Sequence, residues 1–258
     1  MTESAQAWPA PAPGAAPLPR MVGAQAGLEL RTLLRNGEQL VLTLIIPVLL
    51  LAAFSQENLV SYGPGRRIDF LAPGILALAV MSTAMVSLGI ATGFERQYGV
   101  LKRLGATPLG RPRLLGAKIG SVAAIETLQV ALIVVTALLL GWDPGGSWGA
   151  AIPAILLATV AFSGLGLLLA GLLRAEVTLA AANGLYLLLL LLGGMIFPLS
   201  KLPGGLRTLA EGLPAGALSD ALHGALTAGA SVPARAWIVL AIWAVATPLL
   251  AARTFRWD

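Results

Sequence analysis

From residue 39 onward the chain alternates long apolar stretches with short polar ones. Six apolar segments stand out, at about 39–54, 70–93, 115–140, 151–173, 178–197 and 235–252. A helix needs roughly 17–25 residues, mostly apolar, to cross the hydrocarbon core of a bilayer, so the pattern predicts six membrane spans. The first is short and contains Pro47, which leaves its ends the least defined. Ahead of it, from Met21 to Glu38, the period changes. Val22, Ala26, Leu30, Leu33 and Leu34 fall on one helical face and Gln25, Glu29, Arg31, Thr32, Arg35 and Glu38 on the other, with Leu28 out of place. That spacing predicts an amphipathic helix lying in the membrane interface. Residues 1–19 are rich in Ala and Pro, carry no basic n-region, and read as a disordered tail, not a signal peptide.

Composition agrees with the pattern. Of 258 residues 57% are hydrophobic and 11% charged, against about 25% charged in a soluble domain. The mean hydropathy is +0.84. The net charge of +5 is therefore read as loop charge facing anionic headgroups, not as a nucleic-acid signal. With no cysteine and a single histidine, His223, disulfides and thiolate metal sites are excluded and a histidine metal centre is disfavoured. Heavy use of Ala, Gly, Leu and Arg with few Lys points to a GC-rich bacterium, hence to a bacterial plasma (inner) membrane.

The cations give an orientation. With the amino terminus inside, Arg20, Arg31, Arg35, the six cations of residues 94–118, Arg174, Arg253 and Arg256 are cytoplasmic. Arg66, Arg67, Lys201, Arg207 and Arg235 lie outside. Twelve against five satisfies the positive-inside rule and predicts that both termini are cytoplasmic.

Two polar connections are more organised than topology requires. In "FERQYGVLKRLGATPLGRPRLLGAK", Glu95 and Arg96 stand at the inner end of the second span. Tyr98, Leu101 and Leu104 then form an apolar strip, Lys102 and Arg103 a polar side, and Gly105 to Pro108 a stop. A short amphipathic helix of this kind suits docking into a groove on a partner. On the outer side, residues 198–234 carry Leu202, Leu206, Leu209 and Leu213 at helical spacing and a second apolar set at Leu218, Leu222 and Ala225. Pro198, Pro203 and Pro214 cut this region into pieces too short to span, which predicts helices that dip into the outer leaflet and return, shielded by protein or a wet cavity.

"FLAPGILALAVMSTAMVSLGIATGFERQYGVLKRLGATPL" resembles the second span and coupling helix of permease subunits of type-2 ATP-binding-cassette (ABC) transporters. "LGGMIFPLSKLPGGLRTLAEGLPAGALSDALHGAL" resembles the same family's segment after span five, with His223 where the family commonly has Arg. The resemblance covers residues 20–258. It implies a single all-α permease domain with six spans, an N-terminal interfacial helix, a cytoplasmic coupling helix between spans 2 and 3, and short outer re-entrant helices between spans 5 and 6. It implies an exporter of a drug-like, lipid or lipid-linked substrate that pairs with a second copy or a paralogue. It also implies that Glu95, Arg96, Tyr98, Gly99, Leu101, Lys102, Arg103, Leu104, Thr107 and Pro108 dock onto a separate ATP-binding subunit. The chain has no G-x-x-x-x-G-K-[ST] phosphate loop, since "GAKIG" at 116–120 lacks the spacing. ATP and Mg would be bound, and ATP hydrolysed, by that partner.

Inside the spans, Glu126 is the one deep acid, with Gln129 one turn on. An intramembrane ionisable group costs roughly 2.5–3.5 kcal/mol on insertion scales and marks a candidate pathway residue; an interhelical hydrogen bond explains it equally well. For Asn183 and Ser163, helix packing is the simpler reading, as it is for Gly164, Gly166 and Gly171. Asp220 and His223 read as polar residues of the outer segment, without a catalytic role. Two other classes compete. An intramembrane serine protease needs a buried nucleophile and base, but the histidine lies outside the spans and "FSGLG" is not G-x-S-x-G. A proton-coupled secondary transporter using Glu126 should show internal repeats, and none is convincing.

Overall fold

The structure, a computed structural model, describes residues 17–35, 37, 41–56, 66–105 and 111–255. Among these residues the chain is helical and contains no strand. Helix α1 is Leu18–Arg35, and α2 is Ile46–Gln56, entered through a wide π-turn at Val41–Ile45. A continuous helix α3 runs Arg67–Gln97 and carries a second π-turn at Ser82–Ser87. The remaining helices are α4 Val100–Gly105, α5 Arg111–Leu139, α6 Trp148–Leu172, α7 Ala175–Leu192, α8 Gly204–Gly212, α9 Pro214–Leu226 and α10 Ala234–Thr254.

Five of these, α3, α5, α6, α7 and α10, are long and apolar enough to cross a membrane. This is a multi-pass membrane protein, and each of the five overlaps one of the predicted segments, although α7 ends at Leu192, short of the predicted 197. The predicted first span appears as a shorter apolar helix, Thr43–Ser55, and part of the segment 39–54 lies outside the described residues. Leucine- and alanine-rich runs adopt helix here because a helix satisfies its own backbone polar groups where water is absent.

Helix α3 forms the centre, with almost every residue from Leu71 to Met81 buried. α2, α5, α6 and α7 surround it, α10 lies along α6, and α9 wedges between α3, α6 and α10. Apolar attraction between helices is weak in lipid, so close approach depends on small residues. Gly166 of α6 is such a residue, since a Cβ there would stand 2.5 Å from the Met85 carbonyl oxygen on α3. Gly164 abuts Thr247 and Pro248 of α10, and Gly171 abuts Phe255, as the packing reading anticipated.

The segment 198–234 breaks where the prolines stand. Pro203 precedes α8 and Pro214 opens α9, where a missing N–H costs nothing. The two leucine sets then part company: Leu218, Leu222 and Ala225 of α9 are buried in the core, whereas Leu206 and Leu209 of α8 are exposed. Ala225 also accepts from the Ser147 amide at 2.6 Å, tying the loop before α6 to α9.

A Gly166→Leu variant is expected to lose about 1–3 kcal/mol by overpacking, seen as a lower unfolding midpoint of the purified protein in detergent.

Candidate functional site

Helices α1, α3 and α5 meet at one ion cluster. Lys118 of α5 lies 2.9 Å from Glu29 of α1 and 2.6 Å from Glu95 of α3. Its side chain is 1% exposed, and a buried ammonium in this setting requires carboxylate partners. Gln25, also buried, donates to the same Glu29 oxygen at 2.9 Å. This turns part of the expected polar side of α1 inward, while Arg31, Thr32 and Arg35 of that side stay exposed. Gln25 and Glu29, assigned to its polar side, point toward α5, and Leu28 is 56% exposed. Lys118, counted only as a topogenic cation, organises the cluster; the signal available in the sequence was a lysine embedded in the apolar run of α5.

Glu95 thus turns inward. Arg96 does too, donating from both guanidinium nitrogens to the carbonyls of Gly171 (2.7 Å) and Leu173 at the end of α6. Gln97 donates to Glu176 of α7 at 2.8 Å. The last turn of α3 is therefore fastened to three neighbours before the chain leaves it. Gly99 makes the departure with φ of 70°, a left-handed conformation that suits glycine. In α4 the expected apolar strip divides: Leu101 is fully buried and Leu104 partly so, while Tyr98 is 70% exposed. Lys102 and Arg103 are exposed beside it. Thr107 and Pro108 lie outside the described residues.

Above this cluster a cavity of about 1010 Å³ opens between α2 and α7, with α3 and α5 behind it. Its walls are aliphatic (Ile46, Leu78, Val86, Ile90, Val122, Leu179) and aromatic (Phe94, Tyr98, Tyr186). Ser82, Thr83 and Ser87 of the π-turn line it, as do Ser121 and Asn183. Asn183, a candidate for the pathway as well as for a helix contact, is exposed to the cavity and, among the described residues, donates along its own helix to Leu179. Glu126 and Gln129 do not line the space. Gln129 is fully buried, accepts from Thr83 at 3.0 Å and donates to the Thr43 carbonyl at 2.6 Å. One Glu126 oxygen accepts from Thr159 of α6, and the other has no partner among the described residues. Ser163 is buried, its hydroxyl likewise without a partner there.

The chain gives a match to the ABC-2 type transporter family model over residues 27–226, which is most of its length. The chain belongs to the ABC-2 type transporter family. It is also 25% identical over 201 residues to YvfS of Bacillus subtilis (strain 168), named as a transport permease, covering 74% of this chain and 79% of that one. The family makes this ABC-2 permease a transport subunit and implies an ABC ATP-binding partner. It gives no support to a proton-coupled carrier built on Glu126, whose hydrogen bond joins two helices of the ABC-2 permease.

Near the other end of α3 the ABC-2 permease has a second charged cluster. Arg235 of α10 pairs with Glu211 of α8 and with Asp220 of α9 at 3.0 Å, and Arg207 binds Glu211 at 2.8 Å. The Arg207 hydrogen bond, before Arg235, holds the Glu211 carboxyl below its usual range, while burial pushes Asp220 up. His223 sets its ring nitrogens 2.8 Å from the Ser219 carbonyl and 3.0 Å from that of Phe70, whose ring it stacks against. Burial pushes its pKa down, and the contacts make it a clip between α9 and α3.

Replacing Lys118 with Met should cost roughly 3 kcal/mol, because two carboxylates lose their counter-charge. Adding Glu95→Gln should return part of that loss, read as the unfolding midpoint of the two variants side by side.

Proposed function

We propose that this chain is the membrane subunit of an exporter that moves a drug-like, lipid or lipid-linked substrate, with ATP hydrolysed in a separate nucleotide-binding subunit. The cavity carries this reading. It is large enough for a drug-sized molecule, apolar with a few placed hydroxyl and amide groups, and rimmed at one end by the segment Glu95–Val100 that leads into α4. A movement of α4 therefore reaches the cavity wall through a single turn at Gly99.

In this reading the α2 segment supplies a sixth crossing, both termini are cytoplasmic, and α1 lies at the inner surface of a bacterial plasma membrane. α4 offers the ATPase its exposed side, Tyr98, Lys102 and Arg103, while Glu95, Arg96, Leu101 and Leu104 hold it in place. The exposed apolar faces of α7 and α10, among them Leu187, Leu191, Ile238 and Ile242, serve lipid and a second copy or paralogue. α8 and α9 form a re-entrant outer segment. ATP and Mg are bound by the partner alone.

The test is purification from native membranes in mild detergent with an ATPase assay on the product. An ATP-binding subunit should accompany the wild-type chain, and a Lys102→Glu, Arg103→Glu double variant should lose it while remaining monodisperse. A wild-type chain that purifies alone and without ATPase activity refutes the proposal.

A further inference from the structure

On the reading that the cavity holds the exported molecule, its charges narrow what that molecule is. Three charged side chains line it: Glu29, Glu95 and Lys118. The ammonium of Lys118 is 1% exposed and already touches one carboxylate on each side, so it has no free face for a ligand. With both carboxylates ionised, two against one ammonium leave the cluster an excess of one negative charge. No arginine or histidine is among the described lining residues. Arg96, which follows Glu95 directly, spends both terminal nitrogens on carbonyls of the α6 end.

Phe94 and Tyr98 flank Glu95 in the chain and line the same space, while Tyr186 lies farther along α7. Ring faces attract cations within about 6 Å, and most strongly where water is scarce. Away from the cluster the walls are largely aliphatic, with uncharged Ser82 and Asn183 among them, and Ser121 sits one turn from Lys118. The polarity is therefore directional, with a net-negative, aromatic end where α1, α3 and α5 meet and an apolar body beyond.

We propose that the cavity takes an amphiphile bearing a single positive charge, an amine, quaternary ammonium or phosphonium centre, with its cationic end at Glu95–Glu29 and its apolar body against α3 and α5. A carboxylate, sulfate or phosphate head would meet a wall of its own sign whose one cation is occupied, and burying an unpaired charge is costly. A neutral molecule of the same shape gains nothing from the excess charge.

Two probes of matching shape and opposite sign decide the matter. The full-length chain, in detergent, is dialysed against labelled tetraphenylphosphonium or tetraphenylborate, with excess unlabelled probe separating saturable binding from micelle partition. Saturable tetraphenylphosphonium binding, at least about tenfold tighter than tetraphenylborate, is expected, since about 1.4 kcal/mol of charge preference corresponds to that ratio. Glu95→Gln should weaken it about tenfold by removing the excess charge. Because Glu95 also supports the fold, Asn183→Lys, at an exposed position on the wall, provides the second test and should weaken the phosphonium and strengthen the borate. Equal or tighter borate binding, no saturable phosphonium binding, or indifference to both variants overturns the inference. An ATPase that co-purifies while the probes show no sign preference removes only this inference. A chain without an ATPase that still prefers the phosphonium removes the exporter reading and leaves a cation-binding cavity.

Discussion

Taking the ammonium of Lys118 out of water costs several kcal/mol unless carboxylates meet it, and Glu29 and Glu95 do so from two different helices. Much of the packing around it follows from that requirement. α1 must present its Glu29 side to α5, which leaves Leu28 on the outside. The last turn of α3 must lie beside the start of α5, which brings Tyr98 and α4 to the mouth of the cavity. The same three side chains then form the cavity's charged end, so one ion cluster both fixes the helices and sets the polarity of the space between them.

Elsewhere the bundle is joined by isolated polar stitches set in apolar packing. Gln129 binds Thr83 in one π-turn and the Thr43 carbonyl in the other, so the two irregular stretches of α3 and the α2 entry share one amide. Irregular backbone at this depth is tolerated where protein or a cavity shields it, and here both shields are present. Thr247 of α10 donates to the Ala161 carbonyl at 2.7 Å beside Gly164, and Thr159 reaches Glu126. These bonds are worth about 0.6 kcal/mol each on average in membrane proteins, so they select which helix faces meet more than they add stability. The cluster around Arg235 does the corresponding work for α8, α9 and α10.

The spans were legible because length and apolarity are local properties; α5 to α7 and α10 lie within a few residues of the predicted segments. The breaks within 198–234 were legible for a similar reason, since Pro203 and Pro214 act on their own backbone. What escaped depends on partners far away in the chain. Nothing within α1 reveals that Glu29 will meet a lysine 89 residues later, and so amphipathic spacing assigned it to water. Glu126 and Gln129 were recognised as unusual, yet only the packing shows that they lie between helices while Asn183, for which a contact was the simpler reading, faces the cavity. Tyr98, Leu101 and Leu104 share a helical strip, but the strip alone does not say that its middle is buried by the body of the protein.

Helix α3 also has a length that constrains how the molecule sits. From Asp69, paired with Arg66 at one end, to Glu95 at the other, its rise is about 39 Å at 1.5 Å per residue. That is close to the roughly 40–45 Å between the headgroup layers of a bilayer and well beyond its 30 Å hydrocarbon core. Both charged ends can remain among headgroups up to a tilt of about 40°, where the projected length falls to that of the core. In a thicker membrane one end must be drawn inward, and in a thinner one the helix must lean. Because this helix is the cavity's back wall, bilayer thickness acts directly on the shape of the space it encloses.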